Sequence, residues 1–169
     1  GDNLLLAANA ALHLPGDFTI EMWVNPTTVQ ASMLLNKGGG LNIAWASYEI
    51  VLYSDGTVNF AGSSTNTGYD IGSESGATGK LGTIQFNQWS HIAITRSGNV
   101  WRGFINGVQG YTQTLALNPY DTSTRGLASG SLREIITVRW REPTMPSSAA
   151  ISCSRWARGP VSISSAFSS

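Results

Sequence analysis

The segment DFTIEMWVNP, residues 17–26, alternates between apolar and polar side chains with a period of two. One face of an extended chain would carry Phe18, Ile20, Met22 and Val24. The other would carry Thr19, Glu21, Trp23 and Asn25. Because successive side chains of a β-strand point to opposite faces, this pattern predicts a strand with one buried face. Pro26 cannot donate to a strand ladder, so we expect the strand to close there.

Two further segments repeat this design around turn signals. SYEIVLYSDGTVNFAG, residues 47–62, places Asp55-Gly56 between two apolar runs. NQWSHIAITRSGNVWRGFINGVQ, residues 87–109, has turn signals at Ser97-Gly98-Asn99 and at Asn106-Gly107. Glycine tolerates positive φ, so each signal predicts a β-hairpin. Short strands at near-regular spacing, with no amphipathic helix longer than two turns, predict an all-β fold: an antiparallel two-sheet β-sandwich or jelly roll.

Length and charge narrow the range of partners. With 169 residues, 41% of them hydrophobic, the chain can bury one core, and we expect a single domain over residues 1–169. The formal net charge is zero and 12% of residues are charged, which argues against nucleic acid as a partner. No apolar run approaches the roughly 20 residues of a membrane helix, so we expect neither membrane insertion nor a signal peptide. The single cysteine, Cys153, excludes an internal disulfide.

Residues 61–79, AGSSTNTGYDIGSESGATG, differ from the rest in being rich in glycine, serine and threonine. This composition predicts a long solvated loop with too little apolar content for a core strand. Loops on a rigid β-scaffold are also where binding residues tend to lie.

Taken in order, GDFTIEMWVNP, MLLNKGGG, YEIVLYSDGTVNF and the segment of residues 87–109 resemble the laminin G-like jelly-roll domains of the concanavalin A-like superfamily. The resemblance runs from about Leu4 to Asn118 and implies the same jelly-roll sandwich. It also implies that Trp89 and His91 are packed, hydrogen-bonded structural residues rather than catalytic ones, and that Trp23 belongs to the core or the layer next to it.

The superfamily includes glycoside hydrolases, and hydrolysis needs two carboxylates about 5 to 9 Å apart. Its hydrolases use a strand motif of the type E-x-D-x-x-E, which this sequence lacks. His13 and His91 have no G-x-S-x-G or comparable context for a serine nucleophile. We therefore rank enzymatic activity below binding and assign no catalytic residue.

Relatives of this fold commonly bind glycans, and often calcium, so the resemblance implies a lectin-like or adhesion module with a glycan or protein ligand. Aromatic planes pack on sugar C–H faces while short polar side chains bond the hydroxyls. Outside the structural motifs, the candidate ligand-binding residues are Trp45, Tyr48, Tyr69 and Tyr111, with Asn42, Asp70 and Glu74 as polar partners. The alternative for each is an ordinary surface or packing role. Calcium needs several converging oxygens, and no dense D-x-D string assigns its ligands.

A structural or interaction module of a phage-tail or cell-surface protein is the alternative function. Low charge with abundant serine, threonine, glycine and asparagine suits such modules and favours an extracellular, cell-surface or virion location. Composition does not separate this role from glycan binding.

The closing segment, about residues 120–169, departs from the family's pattern. It lacks the closing G-x-I-x-x-x-R strand and the G-x-G-L-Y segment of some members. Read from the third base of each codon, Arg158 to Ile163 permits Gly-Thr-Gly-Leu-Tyr, which favours a frame shift in the gene near residues 127–133. The alternative is a divergent tail in which LREIITVRW, residues 132–140, forms an edge strand whose arginines face solvent. An in-frame relative carrying SRWARGPVSI would exclude the frame shift.

Overall fold

A computed structural model describes residues 4–8, 12–38, 45–121, 126–129, 139–141, 150–154 and 162–166. Within these ranges the chain forms two antiparallel sheets whose inner faces share one hydrophobic core, together with a two-stranded antiparallel sheet. The predicted all-β, two-sheet sandwich is therefore confirmed.

The strands are numbered in chain order. The first seven are β1 (Leu4–Leu6), β2 (Phe18–Val24), β3 (Ser32–Lys37), β4 (Tyr48–Leu52), β5 (Thr57–Gly62), β6 (Ile71–Gly72) and β7 (Lys80–Thr83). The others are β8 (Ser90–Ser97), β9 (Val100–Ile105), β10 (Val108–Thr114), β11 (Leu127–Ser129), β12 (Arg139–Arg141), β13 (Ala150–Ser154) and β14 (Ser162–Ala166). The seven-stranded sheet has the order β1-β11-β3-β4-β5-β6, with β7 also paired to β5. The five-stranded sheet has the order β10-β9-β8-β2-β12, and β13 pairs with β14.

The predicted alternation and turns are present. Along β2 the apolar side chains are buried and the intervening ones are at least partly exposed, and the strand ends two residues before Pro26. At the β9–β10 turn, Asn106 and Gly107 both have positive φ, 51° and 80°, as a two-residue hairpin turn requires. At the β4–β5 turn, Gly56 has a φ of 82° and the Asp55 carboxylate accepts the Thr57 backbone N–H at 2.9 Å.

Aromatic rings join the two sheets at the centre of the core. Trp101 of β9 meets Phe18 edge-on, with ring centroids 5.4 Å apart, and Phe60 of the opposite sheet at 5.9 Å. The Arg96 guanidinium lies 5.2 Å from the Trp101 ring centroid and donates to the carbonyls of Pro15, Gly16 and Gly98. Burial lowers the pKa of Arg96, but carbonyl acceptors and the aromatic ring compensate the buried cation.

The expectation for residues 61–79 was wrong in part. Ala61 and Gly62 complete β5, and Ile71–Gly72 forms β6, with Ile71 fully buried in the core. Only one apolar side chain, Ile71, anchors β6, so the composition of residues 61–79 does not indicate a strand there. The remainder of the segment is irregular.

The tail is described only in pieces. β12 pairs with β2 and lies at an edge of the five-stranded sheet, and it overlaps the proposed edge strand of residues 132–140 only at Arg139 and Trp140. The expected strand at residues 134–138 lies outside the described residues. In the described parts of the chain, no helix is long and apolar enough to cross a membrane.

Gly110 lies where the register between β10 and β9 shifts, and it allows β10 to approach β7 of the other sheet closely. An added Cβ there would overlap the carbonyl of Leu81, and backbone cannot move aside as a flexible side chain does. We expect Gly110→Ala to lower the free energy of unfolding by about 1–3 kcal/mol, the usual cost of overpacking. Gly16→Ala is the matched control, because a Cβ there meets nothing within 4 Å. Urea unfolding of both variants checks this, and equal midpoints would contradict it.

Candidate functional site

The outer face of β4 and β5 carries buried polar side chains. Alternation sends Tyr48, Ile50 and Leu52 into the core, and therefore sends Glu49 to the opposite face. Asn59 lies on the same outer face of β5, yet Glu49 and Asn59 are only 2% and 1% exposed. They are buried because residues 63–79 fold back over them. We call this region the covered face.

Backbone groups hold the covering segment in place. The Asn59 Nδ2 group donates to the carbonyls of Ser73 and Gly76, at 3.4 and 3.0 Å. Phe60 N donates to Gly79 O at 2.9 Å, and the Tyr53 hydroxyl donates to Glu74 O at 2.6 Å. The segment is therefore ordered before any ligand arrives.

Two aromatic rings stand at one end of the covered face. Trp45 and Tyr69 meet edge-to-face, with centroids 4.9 Å apart and planes at 85°, and both are half-buried. The Trp45 carbonyl accepts the Tyr120 hydroxyl at 2.6 Å, which fixes the backbone beneath the ring. We call this pair the aromatic corner.

The carboxyl group of Glu49 lies next to Tyr69. Burial raises the pKa of Glu49, and the hydroxyl of Tyr69 lowers it by less. Burial, followed by the nearby carboxylate of Glu49, raises the pKa of Tyr69, so the phenol stays protonated. Glu49 Oε2 accepts Asn36 Nδ2 at 3.0 Å, whereas Oε1 is buried without a hydrogen-bond partner among the described residues.

Glu49 should make stability depend on pH. Its pKa in the folded chain is above the 4.5 of the free side chain, so its protonated form favours folding at low pH, and this contribution is lost as pH rises through the raised value. Against Glu49→Gln, we expect the wild type to lose about 1–3 kcal/mol between pH 4 and pH 8, the cost of an uncompensated buried polar group. Urea unfolding across this range measures the difference. Parallel pH profiles for the two proteins would contradict the assignment.

A shallow cavity of about 590 Å³ opens at the other end of the covered face. Tyr53, Asn59 and Lys80 line it together with the β4–β5 turn and residues 75–77. Asn59 and Lys80 are register partners, so their side chains share this face. The Asn59 Oδ1 atom beneath it is buried and has no hydrogen-bond partner among the described residues.

The structure separates the predicted ligand-binding residues. Tyr48 and Tyr111 are corrected: they are 0% and 3% exposed, and their hydroxyls donate to Leu12 O at 2.9 Å and Gln113 Oε1 at 2.7 Å. Core side chains of this kind present no surface to a ligand. In β4 the apolar Ile50, two residues after Tyr48, carried the signal that Tyr48 faces inward, whereas Tyr111 lies between Gln109 and Gln113 on its face of β10 and had no such signal.

The other predicted residues lie on or near the covered face. Trp45 and Tyr69 form the aromatic corner, and Asp70 follows it with a carboxylate that accepts the Ser64 N–H at 2.8 Å and the Ser64 hydroxyl. Glu74 is exposed in the covering segment, and its charge raises the pKa of Tyr53, after burial. Asn42 lies outside the described residues.

The inferred packing of two tryptophans was wrong. Trp23 and Trp89 are 50% and 47% exposed, so neither belongs to the core. Trp23 instead contacts His91 on the outer face of the five-stranded sheet, with ring centroids 5.1 Å apart. The signal was present in the sequence, because Trp23 shares the polar face of β2 with Thr19 and Glu21.

Calcium has no assigned ligands. Among the residues that the structure describes, no three histidine, cysteine, aspartate or glutamate side chains come together as a metal site would require. Calcium binding stays a prediction.

Comparison with known proteins shows the family. Residues 1–142 match a laminin G family model of the concanavalin A-like lectin/glucanases superfamily. The chain belongs to this superfamily. No curated protein sequence matches it.

Solved structures share the fold of this chain at low identity. Sheep galectin-11, in complex with glycerol, is 15% identical with a TM-score of 0.53, over 83% of this chain and 98% of the galectin. The CBM40 of the Ruminococcus gnavus IT-sialidase is 13% identical with a TM-score of 0.54, over 76% and 77%. A putative carbohydrate binding protein from Bacteroides ovatus is 11% identical with a TM-score of 0.54, over 82% of this chain but 41% of that protein. At these identities the likeness establishes the fold.

Proposed function

We propose that this laminin G-like domain is a non-catalytic, lectin-like carbohydrate-binding module, in an adhesive or recognition role, whose site is the aromatic corner. The observation that carries the proposal is the perpendicular Trp45–Tyr69 pair, half-buried and rigidly seated at the end of a polar face. A sugar ring packs its C–H face on one aromatic ring while its hydroxyls reach polar neighbours.

Acceptor and donor groups surround the corner. Asp70 and Ser64 are neighbours bonded to each other, and Asp70 directly follows Tyr69 in the chain. The backbone N–H of Ala46 lies 3.5 Å from the Tyr69 hydroxyl, at the limit of a hydrogen bond, so a ligand oxygen can compete for it. This mixture suits a neutral hydroxyl-rich ligand.

Binding is favoured over hydrolysis by the position of Glu49. The pKa of Glu49 is raised, as that of a general acid must be, and Glu74 is a second carboxylate close enough to raise the pKa of Glu49 further. However, Glu49 lies beneath Tyr69 at 2% exposure and has one carboxylate oxygen bonded to Asn36, so it is not placed to protonate a glycosidic oxygen. Incubating a bound oligosaccharide with the domain and assaying new reducing ends tests this. Turnover that Glu49→Gln abolishes would replace the binding proposal with a hydrolase.

A glycan-array screen of the folded domain is the primary test, run with millimolar calcium and again with chelator. We expect saturable binding to a defined group of neutral glycans, and calcium dependence would identify the metal as part of the site. A blank array on well-folded protein would overturn glycan binding and leave an interaction module of a cell-surface or phage-tail protein.

A further inference from the structure

We infer that the outer face of the five-stranded sheet carries a second saccharide site, formed by Trp23, His91 and Glu21. We call these three residues the Trp23 face. The inference shares only its ligand class with the proposed function, since no residue of the aromatic corner belongs to this sheet.

The register of β2 and β8 assembles the site. Trp23 and His91 are direct cross-strand partners, so their side chains leave the sheet on the same side. Their rings lie 5.1 Å apart at 49°, and half of the Trp23 surface stays open to solvent. Glu21 is two residues from Trp23 along β2 and therefore shares its face. The result is an aromatic platform beside a carboxylate and an imidazole.

The two polar groups of the Trp23 face retain hydrogen-bonding capacity. His91 Nε2 and Glu21 Oε2 are 3.6 Å apart, too far for a direct hydrogen bond. Their side chains are 24% and 34% exposed. A ligand hydroxyl placed beside the pair can bond to both groups. A sugar stacked on Trp23 presents such hydroxyls at the edge of its ring, which is why we assign a saccharide rather than an ion.

The platform is held rigidly from behind. Asn106 Oδ1 accepts the His91 backbone N–H at 2.8 Å, and Asn106 N donates to the His91 carbonyl at 2.8 Å. These two hydrogen bonds from the β9–β10 turn fix the start of β8. Binding a ligand therefore costs little free energy for ordering this part of the chain.

Trp89 enlarges the open aromatic surface. It lies two residues before His91, immediately before the first residue of β8, and is 47% exposed. Two exposed tryptophans can also hold a second copy of the chain together, so self-association is the competing occupant that the experiment must separate.

The test uses the indole N–H signals of the six tryptophans in a ¹⁵N-labelled full chain. The probes are methyl β-D-galactopyranoside, methyl α-D-glucopyranoside and methyl N-acetyl-β-D-glucosaminide, titrated through millimolar concentrations, with signals assigned by single Trp→Phe substitutions. We expect at least one probe to shift the Trp23 indole saturably and to leave the buried Trp101 indole unmoved.

Each result separates this inference from the proposed function. Shifts at Trp45 without shifts at Trp23 would overturn the second site and leave the aromatic corner in place. Shifts at Trp23 alone would support the second site and count against the first. No shift at Trp23 with any probe, or shifts that follow protein concentration without sugar, would overturn the second site.

Two variants check that the shift reports binding. Glu21→Gln keeps the aromatic rings in place. We expect it to weaken the saccharide affinity, measured from the Trp23 indole shift, about tenfold, as loss of a charged hydrogen-bond acceptor does. Trp23→Ala removes the platform, and we expect it to abolish any shift of the Trp89 indole that the probe causes in the wild type. Val108→Ala, at a residue 70% exposed on the same sheet, is the control and should change nothing. Wild-type affinity in both Trp23-face variants would contradict the site even if the indole signals move.

Discussion

Trp101→Ala is expected to lower the free energy of unfolding by about 3–5 kcal/mol, the range measured for truncating a large buried aromatic side chain. Trp101 is fully buried and contacts Phe18 of one sheet and Phe60 of the other, so its removal opens a void between the sheets. It also removes the ring over which Arg96 lies, so that buried cation loses one of the groups that compensate its charge and keeps its hydrogen-bond acceptors. Since the free energy of unfolding of a domain is about 5–15 kcal/mol in total, a large part of the stability of this domain depends on one side chain.

Urea unfolding followed by circular dichroism measures the loss, with the m-value unchanged if the denatured state is unaffected. Trp101→Phe is the matched control. It keeps the edge-on contact with Phe18 and removes an indole N–H that is buried without a hydrogen-bond partner among the described residues, so its cost should be well under half of that of alanine. Equal losses for the two variants would show that the ring contacts are not what stabilises the core.

Trp45→Ala is expected to weaken glycan binding by about 2 kcal/mol, or about 30-fold, the scale of an aromatic hot spot. The substitution removes one ring of the aromatic corner but keeps the carbonyl that accepts the Tyr120 hydroxyl, so the backbone of the site is retained. Titrating the strongest binder from the array against wild type and variant gives the two dissociation constants.

Val29→Ala serves as the control for Trp45→Ala, because Val29 is 70% exposed and lies outside both aromatic surfaces. Tyr69→Phe separates the ring from the hydroxyl, since it keeps the aromatic contact and loses the interaction with Glu49. Unchanged binding in Trp45→Ala, on a domain that unfolds like the wild type, would exclude the aromatic corner as the site.

Local periodicity was enough to predict the centre of each sheet. The alternation of β2 and the turn signals at Gly56 and Asn106-Gly107 are properties of a few adjacent residues, so the sequence carries them directly. The same rule places Tyr48 inside and Trp23 outside, as the structure does, whereas the family resemblance and the aromatic character of the two side chains favour the opposite placements.

The covered face could not be predicted in this way. Its formation depends on contacts between residues far apart in sequence, such as Asn59 Nδ2 with Gly76 O and Phe60 N with Gly79 O. Composition indicates that residues 63–79 are polar, but it does not indicate onto which surface they fold. The pairing of Trp45 with Tyr69, 24 positions further along, is non-local for the same reason.

The segment over the covered face can accept many different side chains at little cost to the fold. Its attachments use main-chain groups: the carbonyls of Ser73, Glu74, Gly76 and Gly79 accept hydrogen bonds from Asn59, Tyr53 and Phe60, and Ser73 N donates to Phe60 O. Glu74, Ser75, Ala77 and Thr78 are all exposed. The side chains around the shallow cavity that Tyr53, Asn59 and Lys80 line can therefore change while the sheets stay the same, much as antibody loops vary on a constant framework. A library randomised at these four positions should yield folded domains with new ligand preferences.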